Sequence, residues 1–149
     1  MTGVSIKKLT RRPVAPRAVF HSIATDVLPS WDISLVFAGP TKARALNKQL
    51  RNKDYIPNVL SYVVGEKSGE IIICLSEAAK QASSHDMSER DFVLYLFIHG
   101  LLHLKGRVHG ATMETCERKL VARYGTAHSD RHRHRHVPSK NGRGRRALR

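Results

Sequence analysis

The stretch ERDFVLYLFIHGLLHL, Glu89–Leu104, is the key to the architecture. Its apolar residues, from Phe92, Val93 and Leu94 through Phe97 and Ile98 to Leu101, Leu102 and Leu104, fall on every side of a 3.6-residue turn. A surface helix carries one apolar stripe, whereas a helix apolar almost all round has to be enclosed by other elements. Ser88, with Asp91 three residues on, has the form of a capping box at its start, and Gly106 is placed to end it. The rest of the chain must therefore supply the layers that cover it.

Short β-branched runs on its N-terminal side supply one layer. DISLVFA (Asp32–Ala38), VLSYVV (Val59–Val64) and EIIICL (Glu70–Leu75) read as strands, with IIIC apolar enough to be central, and VSIKKL (Val4–Leu9) reads as a first strand. Helical stretches over Arg17–Leu28, Thr41–Leu50, Ser76–Ser84 and Thr112–Tyr124 lie between and after them. The mixed order and short connections predict an α+β fold: a mixed, roughly four-stranded sheet packed with helices, Glu89–Leu104 being the central buried one. No internal repeat is visible.

The length of 149 residues suits one domain with a respectable core. Lys and Arg total 26 against 12 acidic residues, a net charge of +14, so a polyanionic partner is expected, nucleic acid ahead of an anionic membrane surface. Half of that charge lies in the segment 127–149, where eight Lys or Arg face one Asp and large apolar residues are scarce. Such a segment cannot offset its ordering entropy, so 127–149 is expected to be a disordered basic His/Arg-rich tail, either merely solvated or a nonspecific RNA-binding arm, and 1–126 the folded domain. Cys74 and Cys116 lack CxxC spacing and are too few for a disulfide framework, so both read as small core residues in a reducing cytosol. No run approaches the roughly 18 apolar residues of a membrane span, and the basic start MTGVSIKKLTRRPVAPRAVF lacks the apolar region of a secretory signal. It mildly resembles an organelle transit peptide, but a first strand is the preferred reading.

His99 and His103, four apart, share one face of the buried helix, and Gly106 lets the chain turn back so that His109 can approach as a third ligand. A catalytic zinc takes three protein ligands and keeps one position for water, and neutral imidazole suits it; iron, nickel or copper would also accept three imidazoles. The alternative is a set of core histidines bonded to nearby carbonyls, but a metal converts an expensive buried polar group into a satisfied one. Metzincin proteases use the same spacing, HExxHxxGxxH, with a Glu general base where this chain has Gly100. Without that carboxylate peptide hydrolysis lacks its proton relay. A zinc-bound water, its pKa falling from about 15.7 toward 7, remains as the expected catalytic group, and in a basic protein its natural electrophile is a phosphodiester. The segment ALNKQLRNKDYIPNVLSY (Ala45–Tyr62) offers Lys48, Arg51 and Lys53 to hold phosphate charge, Arg51 being best suited to a bidentate contact; solvated helix charges are the plain alternative.

Taken together, these motifs resemble one family. HGLLHLKGRVH (His99–His109) is similar to the HGxLHLxGYDH signature of the YbeY family of bacterial rRNA maturation endoribonucleases. LNKQLRNKDYIPNVLSY (Leu46–Tyr62) resembles its LNxxYRxKDxxTNVLSF segment, GEIIIC (Gly69–Cys74) its GDIxIC strand, and METCE (Met113–Glu117) the MExLE start of its last helix. The resemblance covers about Leu46 to Glu117. It implies an α+β fold with a mixed four-stranded sheet and a zinc-dependent, single-strand-specific endoribonuclease that matures the 16S rRNA 3′ end and acts in ribosome quality control. It further implies one Zn2+ per chain on His99, His103 and His109, Arg51 as the functional arginine, and single-stranded RNA or rRNA and the small ribosomal subunit as partners. A bacterial cytoplasmic location follows, with no membrane and no small-molecule cofactor. The alternatives are a non-catalytic, ribosome-associated RNA-binding or assembly factor with a structural metal, and a metal-dependent hydrolase of another substrate. The chain departs from the family at Arg107 and Val108, which stand where Tyr-Asp is usual, and at Pro57 for Thr and Tyr62 for Phe; the link from His109 to Met113 is also shorter.

Overall fold

Strands and helices alternate through most of the computed structural model, which describes residues 2–107 and 110–125. The order is β1 (Gly3–Lys8), α1 (Arg17–Val27), β2 (Asp32–Ala38), α2 (Pro40–Arg51), β3 (Val59–Gly65), β4 (Ser68–Cys74), α3 (Leu75–Gln81), α4 (Glu89–Leu104) and α5 (Ala111–Tyr124). Val108, His109 and the expected tail 127–149 lie outside the described residues. The sheet runs β1-β2-β4-β3, with β1, β2 and β4 parallel and β3 antiparallel to β4 at the edge. The mixed four-stranded sheet and the buried central helix are as expected.

Alternation along β2 and β4 explains the two layers. Leu35, Phe37, Ile71 and Ile73 point to one face and are fully buried against α1 and α4. Phe20 of α1 bridges them, its ring 5.7 Å from Phe37 and 5.1 Å, edge-on, from Phe97 of α4. The opposite face carries a smaller cluster of Ala38, Leu60 and Ile72 under Leu46 of α2. Helix α4 touches β3, β4, α1, α3 and α5, which is why its apolar residues need no exposed side. Gly100 sits where α4 crosses β4: a Cβ there would lie 3.2 Å from Ile71 Cδ1 and Cγ2.

Both ends of α4 form as the sequence predicts. The Ser88 hydroxyl accepts from the Asp91 N–H at 3.1 Å. Gly106 has φ +96°, its N–H donates to His103 at 2.9 Å, and the Arg107 N–H donates to Leu102 at 3.0 Å, a paired closure that satisfies the last carbonyls. Helix α3 stops at Gln81 rather than Ser84, because the Ser84 hydroxyl donates to the Gln81 carbonyl at 2.8 Å and Ser83–His85 tightens into a 3-10 turn. Cys74 is buried as expected, while Cys116 is only half-buried against the core. Among the described residues no helix is long and apolar enough to cross a membrane.

Candidate active site

One turn of α4 separates His99 from His103, so their rings meet with centroids 4.6 Å apart and Nε2 atoms at 3.1 Å. Behind them, His99 Nδ1 meets the Oε2 of Glu117 on α5, and both side chains are largely buried. A carboxylate only accepts, so Nδ1 carries the proton of the neutral ring and Nε2 keeps its lone pair. A carboxylate behind an imidazole also fixes the ring and raises its basicity, the usual arrangement behind a metal-ligating histidine. Two nitrogens at tetrahedral positions on a zinc with bonds of about 2.0–2.1 Å stand about 3.3 Å apart, close to the separation here. The pair therefore fits one ion. His109, the third expected ligand, lies outside the described residues, and no group of three His, Cys, Asp or Glu forms among those described.

Arg51 comes to this place from the other side of the sheet. It is the last residue of α2, followed by Asn52 in the left-handed region, and the loop beyond is pinned by Asn47. Asn47 is fully buried; its Nδ2 donates to the Tyr55 carbonyl at 3.0 Å and its backbone carbonyl accepts from the Lys53 N–H at 3.3 Å. Arg51, His99 and His103 line a single groove of about 480 Å³ that follows the edge strand from Asn58 to Val63. Of the three cations the sequence offered, only Arg51 lines the groove of the histidines. Lys48 lines a separate hollow with Arg44 and Asp54, and Lys53 is exposed away from the groove lining.

Glu117 is a candidate site residue to which the METCE motif gave no role. Its signal was present: Met113, Glu117 and Val121 form the buried stripe of α5, and an acid in such a stripe needs a partner. The departure at Tyr62 also finds an explanation. Its hydroxyl donates to Glu70, its pairing partner on β4, and Glu70 accepts a second hydrogen bond from Ser34 of β2 at 3.1 Å. Burial, followed by that interaction with Glu70, pushes the Tyr62 phenol up to about 12.

Comparison with known proteins gives the chain its family. Proteins named Endoribonuclease YbeY from Phytoplasma mali and Aromatoleum aromaticum are similar to the chain. The first is 35% identical over 111 residues, 72% of this chain and 70% of its own length. The second is 31% identical over 102 residues, 63% of this chain and 66% of its own length. A third from an Azoarcus species is 30% identical over 112 residues but matched over only 44% of its length, so this chain spans less than two thirds of some relatives. A solution structure of a Thermotoga maritima protein shares the fold, with a TM-score of 0.60 at 18% identity, covering 95% of this chain and 100% of that one. The sequence profile described as Endoribonuclease YbeY matches residues 5–125, which is most of the chain, and with it the chain belongs to the endoribonuclease YbeY family.

Proposed function

We propose that the chain is a zinc-dependent endoribonuclease that cleaves single-stranded RNA in the groove between α4 and β3, with rRNA of the small ribosomal subunit in the bacterial cytoplasm as its substrate. The observation that carries this reading is the convergence of Arg51, His99 and His103 on one groove, with Glu117 behind His99. His99 and His103 would hold the ion, with His109 as the proposed third ligand. When bound, zinc supplies Lewis-acid activation at neutral pH. The chain's own residues do the rest. Glu117 holds the His99 ring with its Nε2 toward His103, where both would hold the ion. Arg51 offers two parallel N–H donors to the non-bridging oxygens of a phosphodiester, where negative charge grows as the bond breaks. Gly100 leaves the helix without a carboxylate beside the first histidine and is itself packed on Ile71, so a peptidase base has no place there.

The roles separate by experiment. Arg51→Ala is expected to slow single-turnover cleavage of a single-stranded RNA by about 10²–10³-fold while zinc content stays at the wild-type level. Loss of zinc in that variant, or unchanged cleavage, contradicts the assignment of Arg51 to the phosphate.

A further inference from the structure

One wall of the groove ends in a side chain whose orientation is dictated from outside it. Asn58 immediately precedes β3, and its carbonyl accepts from the Cys74 N–H at 3.0 Å, which clamps it to the end of β4 where α3 begins. Asn58 Nδ2 donates to Gln81 Oε1 at 2.9 Å, and Gln81 Nε2 donates to Glu77 Oε2 at 3.2 Å, one turn back along α3. Carboxamides are nearly symmetric in shape, so alone neither Asn58 nor Gln81 has a defined polarity. The hydrogen-bond relay removes that freedom. Glu77 is a carboxylate and accepts only, so Gln81 must turn its NH2 toward it and its oxygen toward Asn58. Asn58 must then turn its NH2 to Gln81, leaving Oδ1 on the side away from α3. The opposite setting would place oxygen against oxygen at Glu77. Asn58 is half-buried, it lines the groove with Arg51, His99 and His103, and its Oδ1 has no hydrogen-bond partner among the described residues.

A fixed acceptor that shares a groove with an arginine proposed to hold phosphate selects a donor close to a phosphate. In a nucleic acid strand that donor is the ribose 2′-hydroxyl, which is attached to the same sugar as the phosphate ester, whereas the base edge projects farther away. We propose that Asn58 reads the sugar: its Oδ1 accepts a hydrogen bond from a 2′-hydroxyl of the strand held in the groove, with Gln81 and Glu77 as positioning residues that set its polarity. This rests on the nuclease reading of the groove and assigns its discrimination between RNA and DNA to one residue. The charge of the chain cannot supply that discrimination, because phosphates are common to both polymers.

The test compares binding of a fluorescent single-stranded RNA with that of the uracil-containing DNA of the same sequence. The full-length protein is used at one salt concentration, and anisotropy is read in the first seconds after mixing, before strand loss. One hydrogen bond predicts a preference of about threefold to tenfold for RNA in the wild type. Asn58→Ala should bring the ratio to about one by weakening RNA alone, with DNA affinity kept within twofold. Glu77→Gln, at the outer end of the relay, restores donor-or-acceptor freedom to both amides and should lower the ratio part of the way, again with DNA unchanged. It carries the same prediction if Asn58→Ala fails to fold. Equal weakening of RNA and DNA by these variants, a ratio they leave unchanged, or a wild-type ratio of one overturns the inference. A preference abolished through RNA alone supports it whether or not the wild type cuts the strand, so failure of the cleavage reading shows separately.

Discussion

Glu117 turns a pair of adjacent histidines into an oriented pair. Its carboxylate meets His99 Nδ1 from a largely buried position, leaving Nε2 on the side of His103. Glu117→Gln keeps the shape but removes the charge, so zinc affinity should fall about 10–100-fold, measured by competition with a chromogenic chelator, with little change in helical content. Unchanged affinity would show that Glu117 only fills space. The spacing of His99 and His103 was visible in the sequence because both lie on one helix. Glu117 was not, because its role depends on how α5 packs against α4, which joins residues 18 apart in the chain. Gly100 acquires a second meaning from the packing. Its missing side chain marks the absence of a peptidase base, and it also lets α4 approach Ile71. Gly100→Glu should yield no peptidase activity and lose about 3 kcal/mol or more of stability in urea unfolding, from overpacking and a buried carboxylate. Wild-type stability in that variant would contradict the close approach.

The helices were legible wherever one segment carries its own signal. Helix α4 appears with the predicted bounds because its cap, its apolar residues and Gly106 are all local. The sheet order was not legible in this way. Strand β4 inserts between β2 and β3, which depends on pairing such as Leu35 with Ile71 that no local pattern encodes. The same holds for the tie that seats α5 on α1, where Asp26 accepts from the Tyr124 hydroxyl and, at 3.1 Å, from Arg123. The Tyr124 hydroxyl first, and Arg123 after it, hold the Asp26 carboxyl below its ordinary value of 3.8. A depressed folded-state pKa contributes stability above the unfolded value, and that stability is lost as pH falls through the folded one. Tyr124→Phe should therefore lower the unfolding free energy slightly at pH 7, by under about 1 kcal/mol at this half-exposed site, with the difference from wild type in urea unfolding shrinking below pH 3.8. A difference independent of pH would assign the effect to packing instead.

Across the chain, charge and groove do different work. The net +14 is split evenly between residues 1–126 and the segment 127–149, so long-range attraction for a polyanion does not all come from the part that carries the groove. Removing residues after Gly125 should flatten the salt dependence of RNA binding, by up to about 0.7 in the log–log slope for each phosphate the tail neutralises, while cleavage by bound protein persists. An unchanged slope would show that the tail does not touch RNA. The fold class and the placement of His99 and His103 on one buried helix were legible from Leu46 to Glu117 because the motifs there are dense. The groove itself was not, because it forms only when Arg51 from α2 and Asn58 before β3 meet α4 around the sheet edge.

The proposed function requires that His99 and His103 hold the ion on which RNA cleavage depends. Its most direct test is cleavage of a single-stranded RNA by purified wild type and His103→Ala, each measured as prepared, after chelation and after zinc is restored, with bound zinc quantified throughout. The wild type should carry about one zinc per chain, lose cleavage on chelation and regain it with zinc, and the variant should show neither zinc nor cleavage. Chelator-resistant cleavage, or a zinc-replete wild type that leaves the RNA intact, would contradict it.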